Sequence, residues 1–208
     1  MGVAQGGESL GAQETIQEAR MDKKTAIFLA NGCEEVEALT TVDLLRRAEI
    51  PVTMVSINGT EEVTGSHGIR IMADTTIEKL DFDAYDMLIC PGGIPGTPNL
   101  AACPALTKQL VKFQEEGKEV AAICAAPSIL ADLGLLRGKT AACNPSKEDV
   151  LRAGGANLVF APVAEDGNII TSRAMGTAVP FGLKIVEHYR GREFAESLRK
   201  TILFAEEG

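Results

Sequence analysis

Few side chains in this 208-residue chain can do covalent chemistry, and one of them sits where chemistry is favoured. There are five cysteines, at 33, 90, 103, 124 and 143, and only two histidines. Cys124 lies in the stretch Gly117-Lys118-Glu119-Val120-Ala121-Ala122-Ile123-Cys124-Ala125-Ala126-Pro127. Val120 to Ile123 is an apolar run of strand length, and Ser128 to Leu136 follows with the composition of a helix. A strand that breaks directly into a helix leaves the corner residue on a sharp turn, the arrangement of a nucleophile elbow. Helix amides and the helix dipole favour a thiolate there, so Cys124 is expected to be more acidic than a free cysteine. The same residues also describe a core cysteine behind a strand, and this stretch alone leaves both readings open.

A second reactive type recurs upstream, in Asn31-Gly32-Cys33-Glu34-Glu35-Val36-Glu37-Ala38-Leu39. Acids cluster in the first turn of a helix because its dipole favours them. Glu35 reads as a solvated acid of that kind. Glu37 runs into apolar Ala38 and Leu39, which suits burial, and it shares a face with Glu34 three residues earlier. A buried carboxyl keeps its proton to higher pH and can donate to a thiolate or shuttle a proton. A third candidate is Pro91-Gly92-Gly93, whose glycine amides can turn into a pocket.

These groups need elements to hold them. Thr25–Ala30 reads as a strand buried on both faces, with a helix from Glu34 to Ala48 after it. Strands follow at 51–57, near 63, at 69–72 and at 86–90. A loop over 91–99 leads to a helix at 104–116, then to the Cys124 strand and its helix. Beyond these come a strand at 140–143, a helix at 147–153, and segments 157–162 and 168–171 about a turn at Glu165-Asp166-Gly167. Helices at 177–189 and 192–206 end the chain. Strands alternating with helices predict an α/β fold with a mostly parallel sheet covered on both sides. Such sheets bind ligands at the carboxyl ends of their strands, where all three candidates lie. Strand order does not follow from the pattern.

Composition narrows the function. The formal charge of −9 argues against nucleic acid or anionic membrane as partner. No stretch is long and apolar enough to cross a bilayer. The cysteines are scattered without metal-ligand spacing, so reduced thiols, a cytoplasmic location and no metal are expected. Residues 1–22 are polar and read as a disordered extension ahead of a single domain over 23–208.

Four separated runs then carry a resemblance: NGCEEVEALTTVDLLRRAEIPVTM, DMLICPGG, VAAICAAPSILADLGLL and NIITSRAMGTAVPFGLKIVE. In this order, over residues 23 to 205, the chain resembles the ThiJ/PfpI superfamily, in the branch typified by DJ-one and its bacterial relatives. The resemblance implies a flavodoxin-like sandwich of the class I glutamine amidotransferase type, and a homodimer. It implies that Cys124 is the nucleophile, that Glu37 is the protonated carboxyl, and that the amides of Gly92, Gly93 and Ala125 hold an oxyanion. Glu34, His67 and Asn144 fall at the pocket rim. Asn144 stands where many members have histidine, and His67 where several have arginine. Ala174-Met175-Gly176-Thr177 replaces a Gly-Pro-Gly-Thr segment. Ala125 takes the place of the histidine of protease-type members, and His188-Tyr189-Arg190 lacks the His-x-Glu of amidotransferases. His188 reads as a surface or dimer-side helix residue. The implied activity is cofactor-free detoxification of reactive aldehydes such as methylglyoxal, or repair of glycated substrates. The alternative is a redox sensor or stress chaperone working through oxidation of Cys124.

Overall fold

The computed structural model describes residues 23–204, so the expected extension over 1–22 lies outside the described residues. The first half of the chain runs β1 (Thr25–Leu29), α1 (Glu35–Arg47), β2 (Val52–Ser56), β3 (Glu62–Thr64), β4 (Arg70–Met72), β5 (Thr75–Thr76), β6 (Met87–Cys90), α2 (Gly96–Ala101) and α3 (Pro104–Glu115). The second half runs β7 (Glu119–Ile123), α4 (Pro127–Asp132), β8 (Thr140–Ala141), α5 (Glu148–Ala153), β9 (Asn157–Leu158), β10 (Val163–Asp166), β11 (Ile169–Ser172), α6 (Ala178–Arg190) and α7 (Arg192–Thr201).

Seven strands form one sheet in the order β10-β11-β7-β6-β1-β2-β5, with every pair parallel except β10 with β11. The continuous apolar runs explain why the central strands are buried on both faces. In β1, Ile27 and Leu29 pack with Val42, Leu44 and Leu45 of α1 and Phe181 and Ile185 of α6. Ala26 and Phe28, at the alternate positions, pack with Leu106, Leu110 and Phe113 of α3 and Ile129 and Leu130 of α4. The result is the expected flavodoxin-like sandwich. None of the described helices is long and apolar enough to cross a membrane.

Strand order supplies what the sequence pattern could not. From β1 the chain moves outward through β2 and β5, then returns to the other side of β1 as β6. That reversal leaves a crevice between the carboxyl ends of β1 and β6, where open α/β sheets bind ligands. β7 lies beside β6, with Cys90 opposite Ala122. The turn into α1, the Pro91-Gly92-Gly93 segment and Cys124 therefore share one edge.

Three expectations need correction. The loop expected over 91–99 gives way at Gly96 to α2, whose Pro98 falls in the first turn, where a missing N–H costs nothing. Segment 157–162 does not form the hairpin. β9 pairs in parallel with β8, while β10 pairs with β11 about Gly167-Asn168, Gly167 taking a φ of 64°. The helix expected to reach Leu136 stops at Asp132, two residues before Gly134 with a φ of 77°.

Candidate active site

Cys124 follows the last residue of β7 and adopts a φ of 65°, the left-handed region that non-glycine residues rarely occupy. The surroundings fix it there. Its N–H donates to Ser172 O of β11 at 3.0 Å, and its carbonyl accepts from Asn144 N–H at 2.8 Å. Strain of this kind, about 1–3 kcal/mol, persists when neighbours over-determine the backbone. The twist lifts the thiol off the sheet and leaves it partly exposed. The N–H groups of Ala125 and Gly93 face the sulfur and favour its ionised form.

Glu37 comes from the first turn of α1 and is 1 % exposed. Its Oε2 accepts the N–H of Gly92 at 2.8 Å, and its Oε1 is buried without a hydrogen-bond partner of good geometry. Gly92 lies between carboxyl and thiol. A Cβ there would come within 2.7 Å of both Glu37 Oε2 and Cys124 Cβ, and within 3.1 Å of Sγ. Only glycine lets the two groups meet over this backbone. The Gly92 amide is thereby committed to Glu37, which corrects its expected place among the oxyanion donors; Gly93 and Ala125 are left to face the sulfur.

The electrostatics correct a second expectation. Burial pushes the Glu37 carboxyl up to about 7, against the Cys124 thiol and the Gly92 amide, which pull it down. Burial and the facing Glu37 carboxylate push the Cys124 thiol up to about 12, against the Ala125 and Gly93 amides. Cys124 is therefore not more acidic than a free cysteine while Glu37 is ionised. A six-residue helix and two amides are outweighed by burial beside a carboxylate. The pair holds two protons below about pH 7 and one above it, and its titration belongs to both groups together.

The rim residues divide. Glu34 N–H donates to Gly92 O at 2.9 Å, which ties the start of α1 to the end of β6. His67 faces the acids at the start of α1, its Nδ1 2.9 Å from Glu35 Oε2 and 3.7 Å from Glu34 Oε2. Asn144 turns its side chain into its own turn, Oδ1 accepting from the N–H and hydroxyl of Ser146 at 3.0 and 2.8 Å. Its backbone, not its amide group, reaches Cys124.

Glu35, expected to be solvated, is 2 % exposed. Burial would raise its carboxyl, but the His67 ring and N–H and the Ser66 hydroxyl outweigh burial and hold it at about 2. The signal lay in Gly65: a Cβ at that position would run into the Glu35 carboxyl, so glycine there admits a buried acid. His188 lies at the other end of β7, with Nε2 3.3 Å from Glu119 Oε1. Cys124 is five residues further along, about 16 Å at strand spacing. Neither histidine meets the thiol.

The chain matches the DJ-1/PfpI family over residues 23–188. It is 39% identical over 186 residues to Protein dj-1beta of Drosophila melanogaster, covering 89% of this chain and 99% of that one. It is 33% identical over 185 residues to the glutathione-independent glyoxalase DJR-1.2 of Caenorhabditis elegans, covering 88% and 98%. The crystal structure of Drosophila melanogaster DJ-1beta superposes with a TM-score of 0.84 at 36% identity, covering 89% of this chain and all of the other.

Proposed function

The chain belongs to the DJ-1/PfpI family, and from that premise we propose that it converts small reactive carbonyls such as methylglyoxal to hydroxy acids, using Cys124 and needing no glutathione. One observation carries this reading: a partly exposed thiol on a strained corner faces a buried carboxyl whose pKa lies near neutrality. A general base works best when its pKa is close to the operating pH. Glu37 takes the Cys124 proton as sulfur adds to the aldehyde carbon. The new C–S bond leaves an alkoxide within reach of the Gly93 and Ala125 amides, which serve as oxyanion donors. Glu37 returns the thiol proton to that alkoxide, giving a hemithioacetal. As a carboxylate again, it carries the proton on the former aldehyde carbon to the adjacent carbonyl carbon. The hydroxyl proton passes to the neighbouring oxygen, and the adduct becomes the thioester of a 2-hydroxy acid. Water cleaves the thioester, releasing lactate and restoring the thiol. Overall one water is consumed, and the oxidation of one carbon balances the reduction of its neighbour. Repair of glycated groups would begin with the same addition.

A second reading keeps the thiol as a redox sensor. The Glu37 carboxyl facing Cys124, with its Oε1 buried and unpartnered, favours it, because a protonated carboxyl there can donate to a sulfinate. One experiment separates the two. Purified protein without glutathione is given methylglyoxal, and lactate is measured against Cys124→Ser. Turnover by the parent chain and none by the variant is the expected result. No lactate from the parent chain, with Cys124 gaining two oxygens under peroxide, would replace the enzyme reading with the sensor.

A further inference from the structure

Beside the thiol pocket, on the outer side of the first turn of α1, lies a cluster that the carbonyl chemistry does not use. From its geometry we propose that Glu34, Glu35 and His67, with the Ser66 hydroxyl, form a binding site for a divalent first-row metal ion of the zinc class. One donor atom from each of Glu34, Glu35 and His67 lies within 4.8 Å of the others. His67 Nδ1 is 2.9 Å from Glu35 Oε2 and 3.7 Å from Glu34 Oε2. Ser66 Oγ is 3.2 Å from Glu35 Oε2, 3.4 Å from Glu34 Oε2 and 3.1 Å from His67 Nδ1. Zinc binds oxygen and imidazole nitrogen at about 2.0–2.1 Å, which sets neighbouring ligands of a tetrahedron about 3.3 Å apart. The five separations, 2.9 to 3.7 Å, bracket that edge.

Charge gives a separate reason. Buried carboxylates are paired or bind a cation. The Glu35 side chain is 2 % exposed and that of Glu34 is 14 % exposed. Among the described residues the only cationic partner of either is His67, 67 % exposed and charged only when protonated. Two carboxylates thus face a single imidazole. One nitrogen with two or three oxygens suits zinc, cobalt or nickel better than calcium, and leaves room for water. Binding would take the Nδ1 lone pair, so the proton shared with Glu35 would move to Nε2 or to solvent. Cysteine and histidine spacing could not reveal this site, because its ligands come from two adjacent pairs 31 residues apart.

The test uses the full chain, stripped with EDTA and titrated with zinc chloride by calorimetry, with cobalt chloride absorption in parallel. The parent protein and Cys124→Ser are expected to bind one ion per chain. His67→Ala and Glu34→Gln are expected to bind at least tenfold more weakly. The cobalt spectrum should lack a thiolate charge-transfer band. His67 is exposed, so its variant should fold, and Glu34→Gln provides the same test independently. Absence of binding, loss of binding in Cys124→Ser, or unchanged affinity in both His67→Ala and Glu34→Gln would each overturn the site. None of these readouts involves carbonyl turnover, so the metal site and the proposed activity stand or fall separately.

Discussion

Glu37 and Cys124 oppose each other electrostatically, and that opposition can be measured. Burial and the ionised carboxylate together hold the thiol up, so Glu37→Gln, which removes only the second, should lower the thiol pKa part of the way towards its ordinary value of about 8.5. The same change removes the base. Iodoacetamide labelling of Cys124 at pH 8 should therefore quicken while methylglyoxal turnover falls about 100-fold or more, within the usual general acid–base range. In the parent chain the proposed turnover should rise with pH through about 7, as Glu37 ionises. If labelling and turnover fall together in Glu37→Gln, Glu37 is not acting as the base. At this scale the sequence was informative about which residues matter and silent about which way they point. Cys124 and Glu37 stand out because a strand-to-helix corner and an acid followed by apolar residues leave a pattern. The Gly92 amide turning to Glu37, the Asn144 side chain folding onto Ser146 and the burial of Glu35 depend on peptide planes and loop paths, which leave none.

The elements matter because three of them must deliver backbone to one point. Glu34 N–H to Gly92 O, Gly96 N–H to Gly32 O and Thr97 N–H to Gly93 O lace the turn into α1 to the end of β6 and the start of α2. Gly93 has a φ of 97°, and a Cβ on it would press on the backbone of Gly32, Cys33 and Glu34. Gly93→Ala should cost at least about 2 kcal/mol, roughly 5 °C in melting temperature for a chain of this size. Gly92 carries no such φ, and the three atoms nearest its Cβ would belong to the Glu37 and Cys124 side chains rather than to backbone. Gly92→Ala should therefore lose turnover with a smaller loss of stability than Gly93→Ala. Paired melting curves and lactate assays check the ordering, and equal melting temperatures would show that the lacing is not rigid. The strand and helix types were legible because central strands buried on both faces read as unbroken apolar runs. Strand order was not, because it is set by contacts between distant segments. The short helix α2 escaped notice because its Gly, Thr, Pro and Asn residues have loop composition, and its place comes from bonds to Gly32 and Gly93.

At the scale of the molecule, the same groups should set how stability varies with pH. Glu35 has its folded pKa depressed from 4.5 to about 2, so its contribution is present above pH 4.5 and is lost as pH falls towards 2. Glu37 behaves in the opposite sense. Its folded pKa is raised from 4.5 to about 7, so between those values the folded chain holds a proton the unfolded chain has released. Stability therefore declines as pH rises through that window, by roughly 3 kcal/mol if Glu37 acts alone. His188 adds to the decline. Its pKa is raised by hydrogen bonding to Glu119, against burial, with Glu165 helping, so its contribution is complete below 6.5 and disappears as pH climbs through the raised value. A net charge of −9 brings further self-repulsion on the alkaline side. The melting temperature, measured in EDTA to keep the metal site empty, should therefore peak near pH 5 to 6 and fall by pH 8. Glu37→Gln carries no titrating proton there and should flatten the slope between pH 5 and 7, while His188→Gln should flatten it above 6.5. A melting temperature that climbs steadily from pH 5 to 8 would mean that Glu37 is ionised throughout, and the near-neutral base on which the carbonyl chemistry depends would be absent.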